Sequence, residues 1–139
     1  MALRRPGRHG RTHDRTLVRE LREDWLTIAA DPPSEADPAF VLLDESFHVT
    51  LAEAAGNPAL ADLLRQVNER IRLVRMLDFL TVERMLLTID EHIGIVDAVA
   101  HGAIGLAETR FLAHLDHSVA VVGERVNRAI ASMLTGGGR

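Results

Sequence analysis

The stretch DPAFVLLDESFHVTLAEAAGNPAL, residues 37–60, predicts two helices joined by a tight turn. Asp37-Pro38 is typical of a helix start, because aspartate caps free backbone N–H groups and proline suits the first helical position. Gly56 is typical of a helix end, and Asn57-Pro58 repeats the start signal directly after it. Between these signals the apolar side chains recur at helical spacing: Phe40, Leu43, Phe47, Leu51 and Ala54. The first of the two helices is therefore expected to bury one face in a core.

Helical spacing continues on both sides of this stretch. Upstream, the pattern predicts a helix from Asp14, a suitable N-cap, to Ala30, and Asp31-Pro32-Pro33 ends it because proline cannot continue a helix. Downstream, a third helix follows Asn57-Pro58. Its predicted apolar stripe consists of Leu60, Leu63, Leu64, Val67, Ile71 and Val74.

The second half of the chain predicts two further helices. Residues 78–87 show no clear pattern, but Thr88 and Glu91 have the spacing of a capping box, which predicts a helix from Thr88 to Gly102. A long last helix should begin near Ala103, where the lack of a capping side chain should cost about 1 kcal/mol. Its predicted stripe consists of Ile104, Ala107, Phe111, Leu115, Val122, Val126 and Ile130.

These segments predict an all-α fold, an antiparallel bundle of about five to six helices over residues 14–135. No segment shows the sustained alternation of apolar and polar residues that indicates strands. Residues 1–13 are rich in arginine and glycine and are interpreted as a basic disordered arm or linker.

Composition narrows the classes of function. The chain has no cysteine, so disulfides and thiolate metal sites are excluded, and any metal must bind to histidine, aspartate or glutamate. No apolar run is long enough to span a membrane and no secretory signal is evident, so we expect a cytoplasmic protein with no membrane partner. Residues 1–22 carry a net charge of +5 and the remainder −9, so the body of the protein should repel nucleic acid.

Four residues on three predicted helices could form one metal site. Asp44 and His48 are four residues apart and therefore share one side of a helix, beside its apolar stripe. His92 and His114 also lie beside apolar stripes, on the two following helices. A convergence of imidazoles and a carboxylate would suit zinc, nickel, manganese or iron. The alternative is that each histidine is an ordinary core or boundary residue, which is the commoner role for a single histidine.

The same residues resemble a known family. Asp44-Glu45-Ser46-Phe47-His48, followed by Leu51 to Leu60 with its Gly-Asn-Pro turn, resembles the signature of the FCD domain, the C-terminal effector domain of FadR-type regulators in the GntR family. Glu91-His92-Ile93 with Asp97-Ala98 resembles the family's second motif, and His114-Leu115 resembles its last. The resemblance covers about residues 40–120.

The resemblance implies a metal-dependent sensor of a small molecule. Asp44, His48, His92 and His114 would hold one divalent ion (zinc, nickel or manganese), and a small carboxylate effector would complete its coordination. The family also implies a homodimer that binds operator DNA through an N-terminal winged helix-turn-helix domain. We expect that DNA-binding domain to be absent from this chain, because some forty residues ahead of Asp44 cannot hold it.

Three further residues are candidates for effector binding. Arg70 and Arg75 border the apolar stripe of the third helix, and an arginine at a cavity edge binds a carboxylate through two parallel hydrogen bonds. The alternative is that they extend to water or pair with acids such as Asp78. Asn57, in the Gly-Asn-Pro turn, is the third candidate.

Other interpretations remain open from the sequence. His117 could replace His114 as a ligand, whereas His101 is expected on the surface. A small His/Asp metal-dependent hydrolase is one alternative function, since metal sites with an open position hydrolyse esters and phosphates. A purely structural helical dimerisation module, with incidental histidines, is the other. No residue other than Glu45 and Glu91 is placed to act as a catalytic base, so we expect a binding module and not an enzyme.

Overall fold

The structure, a computed structural model, describes residues 14–136. This part of the chain contains five α-helices and no strand: α1 (Arg15–Ala30), α2 (Val41–Ala54), α3 (Pro58–Arg75), α4 (Val82–Ala100) and α5 (Ile104–Gly136). Two short 3-10 turns, Pro38–Phe40 and Met76–Phe79, precede α2 and α4. The predicted all-α class and number of helices are confirmed. The predicted basic arm, residues 1–13, lies outside the described residues.

Most helix boundaries follow the capping signals in the sequence. Asp14 Oδ1 accepts hydrogen bonds of 3.1 Å from the backbone N–H groups of Thr16 and Leu17, so it caps α1 as predicted. Gly56 and Gly102 both have φ of +71°, the left-handed conformation in which glycine ends a helix. The short turns that contain these glycines join α2 to α3 and α4 to α5, so that each pair packs as antiparallel neighbours.

The predicted start of α4 at Thr88 is wrong. The helix begins six residues earlier, because Thr81 accepts a hydrogen bond of 3.3 Å from the backbone N–H of Arg84 and caps it there. Thr88 is fully buried inside the helix, where its hydroxyl donates to the Arg84 carbonyl at 2.9 Å. Glu91 therefore does not belong to a capping box, and its side chain is available for other contacts.

The core lies between α1, α2 and α4 and is closed by the second 3-10 turn. Trp25 of α1 meets Phe40 and Phe47 edge-on, with ring centroids 6.1 Å and 5.5 Å apart, and Phe40 meets Phe79 in the same way at 4.9 Å. Edge-to-face aromatic pairs of this kind add stability beyond the area they bury. This aromatic cluster reaches the ring of His92, so the core directly supports the candidate site.

The apolar stripe predicted for the third helix is not a core face. The stripe predicted for the last helix meets the core only in its first part, where Ala107 is buried and Phe111 packs against the core. On α3 only Ala61 is buried, whereas Leu63, Ile71 and Val74 are exposed within the described chain. On α5, Leu115 and Ile130 are also exposed, and the buried residues are Ala107, His114 and Ser118. The reason is that α1, α2 and α4 fill the interior, so in the described part of the chain one side of α3 and the end of α5 have no neighbour to pack against. Within residues 14–136, no helix is long and apolar enough to cross a membrane.

Candidate metal centre

The structure brings the four sequence-predicted ligands together. Asp44 and His48 lie one turn apart on α2, His92 lies in the middle of α4, and His114 lies a third of the way along α5. Each offers one ligand atom, and these four atoms all lie within 4.8 Å of one another. Three helices therefore converge on a single point inside the bundle.

The spacing of the ligand atoms suits one shared ion. The Nε2 atom of His114 lies 3.2 Å from that of His92 and 3.3 Å from that of His48. Asp44 Oδ1 lies 3.1 Å from His92 Nε2, 3.4 Å from that of His48 and 3.7 Å from that of His114. Donors that share one ion at about 2.0–2.2 Å lie about 3 Å apart when they are neighbours in its coordination shell. These residues therefore fit a divalent metal.

The electrostatics of the cluster favour a cation. Asp44 Oδ1 is buried and accepts no hydrogen bond from the described part of the chain, which is costly for a charged oxygen. Burial raises the pKa of Asp44, but the nearby imidazoles of His48 and His92 lower it more, so that it lies well below the usual value. Burial also lowers the pKa of His92 to about 3, although Asp44 opposes this shift. The cluster thus presents a carboxylate and a neutral imidazole, the forms that bind metals.

Aromatic contacts fix two of the imidazole rings. The His92 ring stacks on Phe47, with centroids 3.8 Å apart and planes 7° from parallel, and it also meets the Trp25 ring edge-on at 4.3 Å. The His48 ring meets Phe111 of α5 edge-on at 5.6 Å. These contacts hold the rings with their Nε2 atoms directed at Asp44.

Arg75 lies at the edge of the cluster. Its Nη2 donates to Asp44 Oδ2 at 2.6 Å, and its Nη1 donates to Asp78 Oδ2 at 3.1 Å and to Ser118 Oγ at 2.7 Å. The sequence offered two positions for Arg75, at the edge of the site or paired with an acid such as Asp78. In the structure Arg75 has both, since it contacts Asp44 and also pairs with Asp78. These contacts use three of the five N–H donors of the guanidinium group.

The other two candidates for effector binding form no hydrogen bond with the cluster. Asn57 Oδ1 accepts from the backbone N–H of Leu60 at 3.0 Å and acts as the N-cap of α3. Arg70 is exposed. It is five residues from Arg75, which places the two side chains about 140° apart around a helix axis, so they cannot face the same site.

A second group of polar residues was missed by the sequence analysis. Arg84 and Asp78 are buried and joined by a hydrogen bond of 2.8 Å from Arg84 Nε to Asp78 Oδ1. Glu91 Oε2 is hydrogen-bonded to His114 Nδ1, and Glu91 Oε1 lies 2.9 Å from His117 Nδ1. His117 is therefore a partner of Glu91 and not a member of the ligand cluster. The only signal in the sequence was the position of Glu91 next to His92, which does not reveal a contact with α5.

The remaining histidine of the described region conforms to expectation. His101 is exposed at the end of α4, and its Nδ1 lies 2.7 Å from the carbonyl oxygen of Asp97. It has no contact with the four ligand residues.

Comparison with known proteins identifies one family. The family model described as the FCD domain matches residues 7–117, which is most of the chain and includes all four candidate ligands. No curated protein and no solved structure matches the chain significantly.

Proposed function

This chain belongs to the FCD domain family, and we propose on that basis that it is the effector-sensing domain of a GntR/FadR-type bacterial transcriptional regulator. In this proposal the domain binds a divalent metal together with a small carboxylate metabolite. The bound state then controls DNA binding by a winged helix-turn-helix domain of the regulator. The observation that carries the proposal is the buried, unpaired Oδ1 of Asp44 among three imidazole nitrogens.

The metal would be held by Asp44, His48, His92 and His114. Imidazole nitrogen and carboxylate oxygen suit zinc, nickel and manganese, and the absence of thiolate from the site makes the set less selective for soft metals. When bound, the ion would supply open coordination positions at which an acid group can attach. The chain's own part is to fix the donor atoms and exclude water from their far side, which the aromatic core around His92 does.

Arg75 would be the protein's own contact with the effector. It lies next to the ligand Asp44, and its two remaining N–H donors can bind a carboxylate oxygen. A metabolite with a second oxygen close to its carboxylate, such as a hydroxy acid, a keto acid or a sugar acid, could bind the ion and Arg75 together. Arg70 and Asn57 have no such position, so we leave them out of the proposed site.

A regulatory role agrees better with the contacts than a hydrolase does. Glu91 is the carboxylate nearest to the ligands after Asp44, and it is engaged by His114, His117 and Arg84. A catalytic base needs a side chain that can reach substrate or water. Members of the FCD family are regulatory domains, which agrees with a binding module.

The exposed stripe on α3 supports the proposal of a homodimer. Leu63, Ile71 and Val74 are exposed on one helix, and contiguous apolar patches of this kind usually mark interaction surfaces. A second copy of the chain would bury these side chains. Effector binding in one protomer could then change the position of the other protomer through this contact.

The test is a thermal-shift series with citrate, lactate, malate and gluconate on metal-loaded and metal-free protein. A ligand that binds only the folded state raises the stability by about 2.7 kcal/mol at a hundredfold excess over its dissociation constant. We expect at least one acid to stabilise the metal-loaded form and none to stabilise the metal-free form. Equal stabilisation of both forms by an acid would show that the metal does not anchor the effector.

A further inference from the structure

One carboxylate outside the ligand set is in contact with a ligand. Glu91 Oε2 is hydrogen-bonded to Nδ1 of His114, while Nε2 of the same ring faces Asp44, His48 and His92. A neutral imidazole carries a single proton, and a carboxylate accepts hydrogen bonds but cannot donate one. The contact therefore places the His114 proton on Nδ1 and leaves the lone pair of Nε2 directed at the metal centre.

Glu91 is itself held in place from two other sides. Its Oε1 accepts from Arg84 Nη1 at 3.3 Å and lies 2.9 Å from His117 Nδ1. Arg84 is buried and fixed by its hydrogen bond to Asp78, so it is a rigid support. With these contacts on Oε1, Oε2 remains directed at His114.

These contacts complete a chain of hydrogen bonds between two ligands. Asp44 is bonded to Arg75, Arg75 to Asp78, Asp78 to Arg84 and Arg84 to Glu91. The last link joins Glu91 to His114. The chain connects α2 to α5 around the outside of the ligand cluster, so the two ends of the site are positioned by one polar network.

His92 shows what a ligand looks like without such a partner. Its Nδ1 is buried and has no hydrogen-bond partner in the described chain, and its ring is held by Phe47 and Trp25 instead. Within residues 14–136, the aromatic rings that contact His114 are those of the ligands His48 and His92. Besides these two rings, the orientation of His114 depends on the hydrogen bond between its Nδ1 and Glu91.

We propose that Glu91 is a positioning residue for the metal site: it fixes the tautomer and the ring orientation of His114, and thereby the contribution of α5 to metal binding. This inference rests on the proposed metal-binding function. Partners of this kind raise the basicity of the ligand and hold it in the binding geometry, and their loss typically weakens metal affinity about 10- to 100-fold.

The experiment compares zinc affinity, measured by competition with a chromogenic chelator, in wild type, Glu91→Gln and Asp90→Asn. The first substitution keeps the size of the side chain and removes its charge. The second removes a charge from the neighbouring residue, which is exposed on the same helix. We expect Glu91→Gln to bind zinc about 10- to 100-fold more weakly and Asp90→Asn to match wild type. Equal zinc affinity in wild type and Glu91→Gln would overturn the inference.

A second measurement needs no variant. Long-range nitrogen–proton NMR spectra of the metal-free wild type report which ring nitrogen of His114 carries the proton. We expect the proton on Nδ1, and a proton on Nε2 would overturn the inference even if Glu91→Gln failed to fold. A wild-type protein that binds no zinc would instead contradict the proposed function, so the two failures are distinguishable.

Discussion

The two oxygens of Asp44 have different partners: Oδ2 accepts a hydrogen bond of 2.6 Å from Arg75, whereas Oδ1 faces the three imidazoles. The carboxylate is thereby held in one orientation by an arginine outside the cluster. Its second oxygen remains available to a cation. This division of roles makes Asp44 the residue on which both the metal and the candidate effector contact depend.

Asp44→Asn should abolish tight metal binding. The amide lacks the negative charge that balances the ion, and it leaves Arg75 facing a neutral group. We expect the loss in zinc affinity to exceed the about 10- to 100-fold typical of an outer-sphere partner. The measurement is chelator competition, with Asp62→Asn, an exposed aspartate on α3, as the control. Zinc affinity at the wild-type level in Asp44→Asn would be inconsistent with the ligand assignment.

Arg75→Gln should lose the response to acids but keep a bound metal. The substitution removes the charge that would bind the effector and one hydrogen bond to Asp44, but it removes none of the four ligands. Metal content is measured first, and then the thermal shift with the acids that stabilise wild type. Arg70→Gln is the matched control, because Arg70 is an exposed arginine on the same helix. If Arg70→Gln loses the response and Arg75→Gln retains it, the assignment of the effector contact is reversed.

Asn57→Ala should reduce stability without changing the acid response. The side chain caps α3 through Leu60, and loss of such a cap costs about 0.5–2 kcal/mol. Urea denaturation of the metal-free protein measures the cost, and the thermal shift measures the response. An unchanged free energy of unfolding with a lost response would restore the sequence-based interpretation of Asn57 as an effector ligand.

Phe47→Ala should be among the most destabilising single substitutions in the chain. Phe47 is fully buried, and deleting a buried phenylalanine side chain typically costs about 3–5 kcal/mol. It also removes the ring on which His92 stacks, so zinc affinity should fall as well. Leu73→Ala, at a position that is 83% exposed, should change the free energy of unfolding by no more than about 0.5 kcal/mol. Comparable unfolding free energies for the two variants would contradict the described core.

The sequence predicted those parts of the fold that depend on local signals. Asp14, Gly56 and Gly102 mark helix ends through their own backbone or side-chain chemistry, and the structure places helix boundaries at each of them. Thr88 and Glu91 have the same local spacing as a capping box, but Thr81 caps α4 about two turns earlier. No cap was predicted within residues 78–87, because the turn before α4 depends on the packing of the buried Phe79 and not on a local signal.

In the candidate site, too, the sequence predicted what depends on local spacing and not what depends on contacts between helices. Asp44 and His48 are neighbours on one helix, so their proximity follows from the spacing, whereas the approach of His92 and His114 needed the family resemblance or the structure. The contact between Glu91 and His114 joins residues 23 apart on different helices, and no pattern along the chain indicates it. Arg70 and Arg75 were both predicted to bind the effector because both border the apolar stripe of α3. Their angular separation around the helix axis means that only one of them can face the site.

The most direct test of the account is the metal content of the purified protein after incubation with zinc, nickel or manganese and removal of free ion. Elemental analysis should find about one divalent ion per protomer in wild type and in His101→Ala, whose side chain is exposed and outside the cluster. His92→Ala should lose the ion, because it removes a ligand that is fully buried among the other three. A wild-type protein that stays metal-free with all three ions, or a His92→Ala protein that retains the full complement, would contradict the central claim.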